Sequence, residues 1–193
     1  MLRDEGLGLV AYYYFDFRDT AAKQVVRGLL SSLVVQLCAQ SDGCCDVLSR
    51  LYSKHDAGLR LPDDEALTQC LKDMLGLPEL PPIYIIVDAL DECPNSSGAP
   101  SPRELVLDLI EDLVELLLPN LRICITSRPE VDIQDSLVPL VSYSVSLHDE
   151  AGQKQDITDY INSAVQADRK MRKWRAEDRQ MVIDALTQKA DGM

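Results

Sequence analysis

Ile83-Tyr84-Ile85-Ile86-Val87-Asp88-Ala89-Leu90-Asp91-Glu92 is the stretch on which the fold turns. Pro78, Pro81 and Pro82 end whatever precedes it, and Ile83 to Val87 then run without a charged residue. A run this short, fenced by breakers, predicts a strand buried on both faces of a parallel sheet. Three acids stand at and beyond its carboxyl end. A carboxylate against a buried sheet is costly to desolvate unless something compensates it. A magnesium ion held beside nucleotide phosphates is a natural compensator. In that division of labour Asp88 takes the metal and its waters, and Asp91 or Glu92 orients or deprotonates an attacking water. The small Ala89 leaves room beside the metal. The bland alternative is that Asp88 caps a loop or helix while Asp91 and Glu92 form a solvated turn.

A second strand with a polar tip is Leu121-Arg122-Ile123-Cys124-Ile125-Thr126, followed by Ser127-Arg128-Pro129. If it runs parallel beside the first, Thr126, Ser127 and Arg128 emerge at the same sheet edge as Asp88. A guanidinium there can bond phosphate oxygens in a fork and report on a γ-phosphate. Pro129 turns the chain at that point. The competing assignment for Arg128 is an ion pair with Glu130 or Asp132.

Further elements follow from spacing. Leu9 to Phe17 is rich in β-branched and aromatic residues and reads as a strand, with Asp19 or Thr20 placed to cap the next helix. Val25, Val26, Leu29, Leu30, Leu33, Val34, Leu37 and Cys38 recur at helical spacing. Shorter helices are predicted over 44–54 and around Leu67, Cys70, Leu71, Met74 and Leu75. After a Pro/Ser/Gly loop from Pro94 to Pro102, Ser101 and Glu104 form a capping-box pattern that starts a helix running to Leu118. Val141 to Leu147 reads as one more strand, and 156–166 and 177–190 as helices. Strands alternating with helices imply a parallel sheet covered by helices, with ligands beyond the carboxyl ends of the strands.

With 193 residues, 46% of them hydrophobic and 26% charged, the chain suits one domain or one domain plus a fragment. Its net charge of −13 argues against a nucleic-acid partner. The densest basic run, Arg169 to Arg175 around Trp174, reads as a solvated linker or helix end. Six cysteines include no C-x-x-C pair and only two histidines accompany them, so a zinc site is not expected. No signal peptide or membrane-length apolar run is seen, so the expectation is a cytoplasmic protein with reduced cysteines and no membrane partner.

The two strand ends together resemble a known family. Ile85-Ile86-Val87-Asp88-Ala89-Leu90-Asp91-Glu92-Cys93-Pro94 is similar to the Walker B region of NACHT domains, and Thr126-Ser127-Arg128-Pro129-Glu130 to their sensor strand. Tyr14-Phe15-Asp16-Phe17-Arg18-Asp19-Thr20 resembles a strand-to-helix segment of the large fungal subgroup, whose members often carry ankyrin or WD repeats downstream. The resemblance implies a switch of the STAND class: magnesium with ATP or GTP, slow hydrolysis, and nucleotide-driven oligomerisation. On it, Asp88 is the metal residue, Asp91 and Glu92 are catalytic, and Thr126, Ser127 and Arg128 contact the nucleotide.

The chain departs from that pattern. No G-x-x-x-x-G-K-[ST] and no Gly-Lys dipeptide occurs, so the loop that cradles phosphates is missing. In the family that loop precedes the strand placed at 9–17, before which only eight residues stand. The expectation is therefore a three-layer α/β P-loop NTPase-like core over 1–150 without its first strand and loop. A truncated helical segment over 151–193 completes it. The absent strand is expected between the Walker B strand and the last strand, so that its neighbours are left unpaired or forced together, and an open edge invites self-association or pairing with full-length NACHT proteins. A phosphate-loop-less relative serving as a protein-interaction module is the alternative function.

Overall fold

Three strands alternate burial residue by residue, and that alternation sets the architecture. In the computed structural model, residues 8–16, 18, 26–96, 100–146 and 151–190 are described. Strand β1 (Leu9–Tyr14), β2 (Ile83–Asp88) and β3 (Leu121–Ile125) form one parallel sheet in the order β1-β2-β3. Leu9 lies opposite Ile83, and Ile83 opposite Leu121, so all three strands start level. The α/β reading with a parallel sheet therefore holds. The helix capping expected at Asp19 or Thr20, the last strand residue Phe17 and the first helical position Val25 lie outside the described residues.

Side chains of a strand point alternately to the two faces. On one face Leu9, Ala11, Tyr13, Ile83, Ile85 and Val87 are buried, and Leu121, Ile123 and Ile125 are half-buried. Helices α1 (Val26–Cys38), α2 (Asp42–Lys54), α3 (Asp64–Leu75) and α4 (Pro102–Glu115) contribute their apolar residues to the same cluster. Leu29, Leu30, Leu33 and Leu37 of α1, Leu71 and Met74 of α3 and Val106 of α4 are almost fully enclosed. Fully burying one such side chain stabilises by about 1.5–3 kcal/mol.

The other face departs from expectation. Tyr12 and Tyr14 are 54% and 48% exposed, Ile86 is 37% exposed, and Arg122 and Cys124 are exposed. The run Ile83–Val87 is thus covered on one side only among the described residues. Its continuous apolarity marks a strand built for two covered faces, and only one cover is described. β2 already has β1 on one side and β3 on the other.

Local signals explain the helix starts. Ser41 accepts from the Cys44 N–H and Asp63 from the Ala66 N–H. Ser101 and Glu104 close the reciprocal capping box that their spacing predicts, with Pro102 in the first turn. Helix α4 stops at Glu115, short of Leu118, and Leu117 follows in the left-handed region at φ 50°. A short helix α5 (Val131–Leu137) follows β3 and has no counterpart in the sequence reading. The strand read at Val141–Leu147 is not found over 141–146, and Leu147 is outside the described residues. Tyr143 and Val145 alternate correctly but stand 85% and 57% exposed, with no neighbouring strand among the described residues to pair them.

Contacts divide the chain into Met1–Val141 and Ser142–Met193. The second unit carries α6 (Ala151–Ala167) and α7 (Ala176–Ala190), which pack on each other. Between them the side chain of Asp168 accepts from the N–H groups of Met171 and Lys170, which hold its carboxyl below the usual range. The basic run from Arg169 to Arg175 is the exposed connection, and Trp174 is 46% exposed.

Candidate functional site

The carboxyl ends of β2 and β3 carry the polar residues, and the parallel register brings those ends together. The chain leaves β2 through Ala89, which sits in the left-handed region at φ 53° and ψ 49°. That conformation costs a non-glycine residue free energy and is met mostly where surrounding bonds impose it. Here Thr126 imposes it. Its Oγ1 donates to Asp88 Oδ1 and accepts from the Ala89 N–H at 3.0 Å. The Thr126 carbonyl also accepts from the Leu90 N–H at 3.0 Å. One threonine thereby fixes both the acid and the turn behind it.

Leu90–Glu92 then forms a single 3-10 turn. Asp91 faces β3, where its Oδ1 accepts from the Arg128 N–H at 3.1 Å and its Oδ2 lies 3.4 Å from Arg128 Nε. The Asp91 side chain is only 10% exposed, whereas that of Arg128 is 79% exposed. The Arg18 guanidinium is held above its ordinary value by the hydrogen bond and charge of Asp16 first and, more weakly, by the charge of Glu92. Ser127 bonds only locally, donating to the Arg128 carbonyl at 2.8 Å.

Of the six residues read from the sequence, the fold thus converges Asp88 with Thr126 and Asp91 with Arg128. Ser127 bonds within its own turn instead. The ion pair weighed for Arg128 exists, but its partner is Asp91 rather than Glu130 or Asp132.

Those two acids belong to a residue that the sequence reading passed over. Arg103, in the first turn of α4, is buried to 6% side-chain exposure. Its Nε donates to the Cys93 carbonyl at 2.9 Å and its Nη2 to the Asp91 carbonyl at 2.6 Å. Its Nη1 reaches Glu130 at 3.0 Å and Asp132 at 3.1 Å. Burial works against the Arg103 charge, but the hydrogen bonds and charges of Glu130 and Asp132 outweigh it and hold the guanidinium above its ordinary value. Arg103 therefore ties the loop after β2 to the segment after β3. The signal available in sequence was its place two residues after the capping-box serine, two acids downstream of a second strand end being its natural partners. Cys93, buried beside it, has its thiol pushed up to about 11 by burial.

Asp88 with a hydroxyl at its side is a hard oxygen donor set of the kind magnesium accepts. No group of three or more His, Cys, Asp or Glu residues able to hold a metal occurs among the described residues. The set fits an ion that brings phosphate oxygens with it, not one caged by protein alone.

Fold and site define an α/β protein with a parallel sheet and an acid–hydroxyl–guanidinium cluster at its carboxyl edge. A family model described as nephrocystin 3, N-terminal, matches residues 1–128, and the chain belongs to that family. The match covers two thirds of the 193 residues and ends on Arg128, so all six candidate residues lie within it. The family found is this one and not the NACHT family that the motifs resemble, and the fungal subgroup finds no support. Neither the curated proteins nor the solved structures give a match. Among the described residues, no helix is long and apolar enough to cross a membrane.

Proposed function

We propose that this chain carries the acidic and sensor half of a nucleotide-controlled signalling switch of the NACHT type, acting on magnesium-bound ATP or GTP. One observation carries the reading: Asp88 bonded to Thr126, and Asp91 paired with Arg128, at the shared carboxyl end of adjacent parallel strands. Ligands of open parallel sheets bind beyond that end. Asp88 and Thr126 would hold the magnesium, which supplies charge neutralisation for the phosphates. Asp91, kept in place by Arg103, presents a carboxylate for orienting water. Arg128 is the exposed partner of that pair and is free to turn toward a phosphate while Asp91 stays. The residues that would cradle the phosphates are not in this sequence, which contains no Gly-Lys dipeptide. Affinity of the chain by itself is therefore expected to be weak, because magnesium keeps its waters and relies on phosphates for much of its shell.

Calorimetric titration with Mg-ATP and Mg-GTP tests this. Saturable heat that disappears in Asp88→Ala and weakens in Arg128→Ala supports the reading. No heat at millimolar nucleotide removes it.

A second reading, a phosphate-loop-less module that binds other protein chains, is favoured by the uncovered sheet face of Tyr12, Tyr14 and Ile86. Cytoplasmic partners, either further copies or full-length NACHT proteins, are part of that reading.

A further inference from the structure

The two edges of the sheet are finished differently. In a parallel ladder alternate residues turn their N–H and C=O toward one neighbour, and the residues between turn theirs away. Leu9 and Phe15 of the β1 segment bond toward β2, through the Pro82 and Asp88 carbonyls. Val10 and Tyr12 therefore face outward. Two glutamines one turn apart on α1 meet them. Gln40 accepts from the Val10 N–H at 3.1 Å and donates to its carbonyl at 2.8 Å. Gln36 does the same for Tyr12, at 3.1 and 2.7 Å. This pair of side-chain amides stands where a neighbouring strand would, and closes the edge.

β3 has no such closure. Asn120 and Thr126 bond toward β2, through the Ile83 N–H and the Val87 carbonyl, so Leu121, Ile123 and Ile125 face outward. The Leu121 N–H bonds Leu118, and its carbonyl accepts from Arg122. That leaves Ile123 and Ile125, whose outward N–H and C=O groups meet no partner among the described residues. The strand carries none of the usual guards against edge pairing. It has no proline, and its one charged side chain, Arg122, is folded back on the Pro119 and Leu121 carbonyls.

We propose that this edge is the interface of a two-fold symmetric dimer, in which β3 pairs antiparallel with β3 of a second copy about an axis at Cys124. The free groups decide the occupant and the register. With the axis there, Ile123 of each copy faces Ile125 of the other. All four outward N–H groups then find all four outward carbonyls, with none left over. The groups already bonded at Leu121 are not needed. Arg122 falls opposite Thr126 of the second copy, so no like charges meet. Cys124 faces its own counterpart as a non-hydrogen-bonded pair, with Cα atoms about 4.5 Å apart. The assembly stops at two because the glutamines block the opposite edge, which would otherwise allow open-ended growth. The inference does not depend on nucleotide binding.

The test uses the full chain under reducing conditions, by sedimentation velocity over a concentration series. The expected species is a dimer, retained in Cys124→Ser. Cys124→Lys, which sets two ammonium groups opposite each other on an exposed surface, is expected to be a folded monomer by circular dichroism. Copper-phenanthroline oxidation is expected to give one crosslinked dimer, lost in Cys124→Ser and kept in Cys45→Ser, since a Cα separation near 4.5 Å lies within disulfide range. Overturning results are a wild-type monomer at about 100 µM, well above the micromolar dissociation constants of ordinary specific interfaces, or a dimer that persists in Cys124→Lys. A crosslink through Cys45, or oligomers larger than two, would overturn it equally. A monomer whose Ile123 and Ile125 amides resist exchange would assign the edge to another segment of the same chain.

Discussion

Replacing Arg103 by methionine should unlock the loop that carries the acids. The side chain volume is roughly kept, and the guanidinium with its five contacts is lost. Glu130 and Asp132 are 46% and 35% exposed, so water can take over their solvation at little cost. The carbonyls of Asp91 and Cys93 are less fortunate, because Cys93 is fully buried and the Asp91 side chain is only 10% exposed. An orphaned buried acceptor costs about 1–3 kcal/mol. Two of them, less the desolvation that the buried cation no longer suffers, give a destabilisation of about 3 kcal/mol. For a chain of this size that corresponds to a fall of about 6–12 °C in the unfolding midpoint. Thermal and denaturant unfolding followed by circular dichroism measure it directly. Arg103→Lys keeps the charge but only one point of attachment, and should fall between. A loss below about 1 kcal/mol in Arg103→Met would refute the claim that this residue holds the two loops together.

Gln36→Ala with Gln40→Ala exposes the β1 edge. A loss of about 2 kcal/mol in denaturant unfolding is expected, since the released groups are partly hydrated, and light scattering should show growth beyond the dimer. Unchanged stability and size would mean that the amides close nothing. Ser101→Ala removes the cap of α4 and should cost about 1 kcal/mol, and an effect near zero would remove the cap's role in presenting Arg103. Thiol chemistry separates the cysteines. Cys45 and Cys124 are exposed and should react first with a disulfide reagent, whereas burial pushes the Cys70 and Cys93 thiols up to about 11. Because the fold favours their protonated form, the associated stability is complete below their ordinary value near 9. It is lost as the pH rises through about 11. A stability that stays flat over that window contradicts the burial argument.

Much of this is legible in the sequence. Ile83–Val87 announces itself by an apolar run after prolines, Leu121–Ile125 by its branched residues between Pro119 and Pro129, and Ser101 with Glu104 fixes the start of α4 from spacing alone. The pairing of Asp88 with Thr126 follows once both strand ends are parallel neighbours. What was not legible depends on tertiary contact. Val141–Val145 alternates like a strand, but among the described residues no partner strand stands beside it, and alternation alone does not make a ladder. Glu130 and Asp132 look like partners for Arg128 by proximity in sequence. They turn instead to Arg103, which lies far along the chain and is enclosed. Arg128 takes Asp91, because the 3-10 turn after Ala89 aims that carboxylate at β3. The bare sheet face was hidden for the same reason, since a run apolar on both sides records what the strand is suited to, not what covers it.

The central claim is that the carboxyl edge of β2 and β3 answers to a magnesium-bound triphosphate. Two backbone amides report on it without a label: that of Ala89, which donates to Thr126, and that of Arg128, which donates to Asp91. Their nuclear magnetic resonance signals should be followed as Mg-ATP and Mg-GTP are titrated into the chain. Both amides are predicted to shift together and saturably, to stay still with magnesium or nucleotide added singly, and to lose the response in Asp88→Ala. Signals that do not move at millimolar Mg-nucleotide, or that move equally in Asp88→Ala, would contradict the account.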